Sequence, residues 1–130
     1  MGELAGGVSG TPLPSGIAAL RAWFAIAPDG TEIDAILTVA TPYVRPGGEW
    51  AANISLGSLE PDLIVEICGV DSWQAIHLSM LFIKRRIEDY ERLGWRFFWT
   101  RNGESATAAH LGEFTIMSAR EDDKPRQAPT

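Results

Sequence analysis

From Ala18 to Ala27 apolar and polar positions alternate with the two-residue period of a β-strand. Leu20, Ala22, Phe24 and Ile26 stand on one face, and Arg21, Trp23 and Ala25 on the other. Pro28-Asp29-Gly30 follows: proline presets φ, aspartate bonds nearby backbone and glycine accepts positive φ. A second alternation over Thr31 to Ala40 sets Ile33, Ala35, Leu37 and Val39 against Glu32, Asp34, Ile36 and Thr38, so the two segments predict a hairpin. Thr41 to Glu49, with two prolines and Gly47-Gly48, reads as a loop. Strands starting at Trp50 and running from Asp62 to Gly69 complete a four-stranded antiparallel meander.

The period then changes. Asp71 is a good N-cap and Gln74 completes a capping-box pattern. Ile76, Met80, Ile83, Ile87 and Tyr90 recur at helical spacing, flanked by Trp73 and Leu93. Lys84, Arg85, Arg86 and Arg92 suit the C-terminal half of the helix dipole, and Gly94 suits a left-handed C′ position. After the helix, Trp95, Phe97 and Trp99 share one face of a further strand segment. Glu113 to Met117 is a candidate last strand.

The expected fold is therefore α+β: the four-stranded meander, one long helix packed on one face, and a C-terminal aromatic strand segment. Residues 1–16 and 118–130 are too poor in apolar side chains to offset the entropy of ordering them, which leaves a single domain over 17–117. The helix covers one sheet face only. The opposite face would carry Trp23, Ile36 and Ile64, an apolar patch to be covered either by the Trp95–Met117 segment or by another chain.

Composition narrows the function classes. The net charge is −6, which argues against a duplex nucleic-acid binder; Lys84, Arg85, Arg86, Arg92, Arg96 and Arg101 are interleaved with Glu88, Asp89 and Glu91. No apolar run approaches the ~18 residues of a membrane span, and the first residues lack a signal-peptide pattern. With a single cysteine, Cys68, the expected location is the cytoplasm. Two histidines and one cysteine distant in sequence lack zinc-site spacing, so no metal or cofactor is expected. Cys68 and His77 could meet across a sheet–helix contact as nucleophile and base, although such a cysteine is more often a small buried hydrophobe and such a histidine a satisfied edge residue.

Ser55-Leu56-Gly57, the helix start Gly69-Val70-Asp71-Ser72-Trp73-Gln74-Ala75-Ile76, and Leu111-Gly112-Glu113-Phe114 resemble an uncharacterised bacterial family of unknown function. The family's pattern has leucine at the position of Ile76 and lacks Glu113. The resemblance implies a fold and carries no catalytic residues across.

The reading that results is a non-enzymatic protein-interaction module, binding a partner or a second copy. Its candidate interface residues are Trp23, Ile36 and Ile64 on the outer sheet face, or Trp95, Phe97 and Trp99 in the aromatic strip. The alternative is a small-ligand or enzymatic pocket between the helix end and the loop at Thr41–Glu49, lined by Tyr43, Glu49 and Trp50.

Overall fold

The computed structural model describes residues 13–112. The expected strand Glu113–Met117 and most of both tails lie outside those residues. The chain is α+β, with an antiparallel sheet and one helix. The sheet has seven strands, not four: β1 (Ile17–Ile26), β2 (Glu32–Ala40), β3 (Tyr43–Val44), β4 (Trp50–Ser55), β5 (Val65–Gly69), β6 (Arg96–Phe98) and β7 (Ser105–Ala106). Helix α1 spans Ser72–Arg92.

The β1–β2 hairpin closes as its turn chemistry requires. Gly30 has φ 92°, and the Thr31 N–H donates to Asp29 Oδ1 at 2.9 Å. That bond holds the Asp29 carboxyl below the usual carboxylate range. β2 and β3 lie along the same edge of β4, Val39 opposite Ile54 and Val44 opposite Trp50, with Thr41-Pro42 interrupting the ladder between them. β5 pairs the other edge of β4. The aromatic segment does not fold back over the sheet. It adds β6 to the far edge of β1, pairing Phe24–Ile26 with Arg96–Phe98, and β7 follows beside it.

Ladder partners share a face, so the register assigns every strand residue. Trp23 lies opposite Ala35, Arg21 opposite Leu37, Ala25 opposite Phe97 and Ala52 opposite Ile67. Trp23, Ala35, Leu37, Phe97 and Ala52 form one hydrophobic cluster with Ala75, Ile83 and Ile87 of α1. Trp23 is therefore on the helix side of the sheet, 2% exposed, and not on the outer face. The outer face carries Leu20, Phe24, Asp34, Ile36, Asn53 and Glu66. Part of it is covered from within: Arg101 lies 4.4 Å from the Phe24 ring centroid and pairs with Glu32, leaving Phe24 buried.

The ends of α1 are capped by the residues the pattern singled out. Asp71 accepts from the Gln74 N–H at 2.8 Å, while Gln74 Oε1 accepts from the Val70 N–H, one residue outside the capping-box position. At the other end Gly94, at φ 100°, closes a Schellman turn: its N–H donates to Glu91 O and that of Trp95 to Tyr90 O, each at 3.0 Å. The buried line of the helix is Ala75, Ser79, Ile83 and Ile87, four residues apart. Met80, expected in the core, is 40% exposed, and Ser79 takes the inner position with its hydroxyl donating to Ala75 O at 2.7 Å.

Arg86 ties the helix to the segment before β5, donating from Nε to Glu60 Oε1 at 2.9 Å. This bond holds the Glu60 carboxyl below its usual range. Burial, then the Glu60 charge, pushes the Tyr90 phenol up to about 12. A depressed carboxyl pKa gives stability that is present above the unfolded value and lost as pH falls through the folded one. A raised phenol pKa gives stability present below the unfolded value and lost as pH climbs toward 12. Urea unfolding between about pH 3 and pH 6 should therefore show a flatter acid limb in Glu60→Gln than in the parent.

Candidate functional site

Three exposed apolar residues lie around the place where β4 begins, β5 ends and α1 starts. Val44, Trp50 and Gly69 are successive partners across three strands at that end of the sheet. Val70 follows Gly69 directly, and Trp73 sits in the first turn of α1. Val44 is 54% exposed, Val70 76% and Trp73 82%. An indole left this open forgoes one of the largest hydrophobic contributions a side chain can make.

These residues are held by short-range geometry on a rigid frame. A Cβ added to Gly69 would stand 2.6 Å from Ala75 N, so the strand end and the helix start are in backbone contact. The Val70 N–H bond to Gln74 and the Gln74 N–H bond to Asp71 then fix the two-residue connection. On the β3 side, the Arg45 N–H donates to Glu49 O and the Gly48 N–H to Arg45 O, both at 2.8 Å, closing the turn that presents Val44. The Arg45 guanidinium donates to Glu66 Oε1 at 3.0 Å and Cys68 Sγ at 3.2 Å, with Glu49 at 3.6 Å. Sulfur and carboxylate together raise the Arg45 pKa, with the Cys68 bond the largest cause. Arg45, Glu49 and Glu66 are thus mutually paired beside Val44, and Asp71, between Val70 and Trp73, is engaged by the Gln74 N–H.

The residues singled out from sequence are dispersed. Trp23 and Phe97 are core, their rings 6.0 Å apart. Trp95 and Trp99 are half-buried against that core, Trp95 edge-on to Tyr90 at 5.2 Å and Trp99 edge-on to Trp23 at 5.5 Å. Ile36 is half-buried on the outer face, and Ile64, 93% exposed, precedes β5. Tyr43, Glu49 and Trp50 do not converge: Tyr43 shares the face of Ala51 and Cys68, Trp50 packs on the core, and Glu49 turns to Arg45. Cys68 and His77 lie on opposite sides of the sheet, so they form no nucleophile–base pair. Among the described residues no three His, Cys, Asp or Glu side chains gather as a metal site, and no helix is long and apolar enough to cross a membrane.

The chain matches no family model, no curated protein and no solved structure.

Trp73 was visible in the sequence as a flank of the helical stripe. Its exposure follows from the phase of the helix. The buried line passes through Ala75 and Ser79, and position 73, two residues before Ala75, is turned about 160° from it, so Trp73 falls on the side of the first turn away from the sheet.

Proposed function

We propose that this protein is a non-enzymatic interaction module, engaging a protein partner or a second copy through Val44, Val70 and Trp73 at the helix-start end of the sheet. The observation that carries the reading is the exposure of Trp73, 82%, beside two more exposed aliphatic residues on a hydrogen-bonded frame. Tryptophan is the residue type most often responsible for binding energy at protein interfaces, and a preformed anchor loses little entropy on docking. A small bacterial cytoplasmic protein is the setting we assign. That assignment rests on the resemblance of the helix-start motif and on composition.

The test is a photo-crosslinking residue placed at position 73 in cells making the protein, with position 85 on the exposed helix surface as control. A discrete adduct at 73, missing at 85 and abolished by Val70→Asp, is the expected result. Its mass distinguishes a second copy from another protein. No adduct at 73, or the same adducts at both positions, would sink the proposal.

A further inference from the structure

We propose that the groove between α1 and β1 binds a small carboxylate bearing a short apolar or aromatic tail, held by Arg21. Ala19, Leu37 and Val39 of the sheet line the groove together with Met80 and Ile83 of the helix and Leu111 beyond β7. Its volume, ≈ 110 Å³, is of the order of the ~150 Å³ cavity that accommodates benzene, which suits one ring or a few methylenes.

Arg21 is the one charged residue in this lining. Its guanidinium carbon lies 4.8 Å from the Trp99 ring centroid and 5.5 Å from that of Trp23, and Nη1 donates to His110 O at 3.3 Å. Five N–H groups are available on a guanidinium, so this leaves most of them for another acceptor. Among the described residues Arg45, Arg86, Arg92 and Arg101 each have a carboxylate partner, while Arg85 and Arg96 are exposed to water. Arg21 alone is partly buried with no carboxylate within 4.0 Å among those residues. Burial lowers its pKa, as expected for a cation that has lost hydration without gaining a counter-charge.

A ligand carboxylate would supply that counter-charge in the bidentate geometry guanidinium favours, and its tail would remove the groove's apolar walls from water. The overall charge of −6 repels anions at long range, so recognition depends on this local pair. The groove is distinct from the surface carrying Val44, Val70 and Trp73, and either could fail without the other.

Phenylacetate is the probe and 2-phenylethanol its neutral counterpart, followed by NMR through the Arg21 Nε–H and the Met80 methyl. Phenylacetate should give saturable shifts, with 2-phenylethanol binding about ten-fold weaker or less tightly still. Arg21→Gln should erase the preference. Because Arg21 also packs on two indoles, Met80→Trp is the second variant: it fills the groove from the exposed helix flank and should block binding with Arg21 in place. No saturable shift with phenylacetate, equal binding of the alcohol, or unchanged binding in Met80→Trp would each overturn the proposal.

Discussion

Trp23→Ala should lower the unfolding free energy by about 3–5 kcal/mol, while Trp73→Ala should change it by no more than about 0.5 kcal/mol. The two indoles belong to the same residue type in opposite environments, 2% and 82% exposed. Trp23 packs edge-on against Trp99 at 5.5 Å and tilted against Phe97 at 6.0 Å, with Arg21 over its ring. Truncation would leave a cavity beneath the junction of β1 and β6, which the backbone of two paired strands cannot close. A domain of this size has roughly 5–15 kcal/mol in total, so the variant would be marginal at room temperature. Trp23→Phe should cost clearly less than Trp23→Ala. It keeps most of the ring contact and removes Nε1, a buried donor with no partner among the described residues. Urea unfolding of the three variants decides the matter, and a larger loss at 73 than at 23 would contradict the face assignment.

Gly69→Ala should destabilise by at least the roughly 1–3 kcal/mol seen on overpacking a core. The added Cβ would stand 2.6 Å from Ala75 N and 2.9 Å from Gln74 C, both backbone atoms of the first helical turn. Relief requires moving the strand end away from the helix, which stretches the bonds of Asp71 and Gln74 that set the helix start. Gly47→Ala provides the control. Its added Cβ would meet Glu49 Oε1 at 2.8 Å, but that atom ends a flexible side chain able to swing aside, so the expected loss is a few tenths of a kcal/mol. Thermal or urea midpoints of the two variants should therefore diverge despite similar contact distances. Equal midpoints would mean that β5 and α1 are not locked together.

Much of the backbone was legible because two periods are hard to confuse. The alternation over Ala18–Ala27 and Thr31–Ala40 located β1 and β2 to within a residue at each end. Asp71, Gln74 and Gly94 marked the helix limits through chemistry that backbone donors and acceptors at helix ends require. What period alone could not supply was the choice of face in β1. Both faces are largely apolar, and Arg21 made the face of Trp23 read as the outer one. The structure accommodates Arg21 at the rim of the core by stacking it on Trp23 and Trp99, an arrangement needing a residue far along the chain. β6 falls inside the Trp95–Trp99 segment whose alternation marked a strand, but β3 and β7 are two residues long, too short for an alternation to show. Trp73 was missed for the converse reason. Its spacing fits the apolar stripe, and only the position of Gly69 beneath Ala75 tells which side of that stripe turns inward.

The pairing of β1 with β6 also constrains how the protein is made. Ala25 and Phe97 are neighbours in the sheet yet come from opposite ends of the described chain. During synthesis the β1–β2 hairpin can close soon after it emerges, and β4–β5 can add to it, because those contacts are local. Trp23 cannot acquire Phe97 and Trp99 until the helix and its Gly94 turn have been made. Through that interval a ribosome-bound chain holds a half-built sheet with its largest core residue uncovered, the stage at which a young chain is most exposed to misassociation.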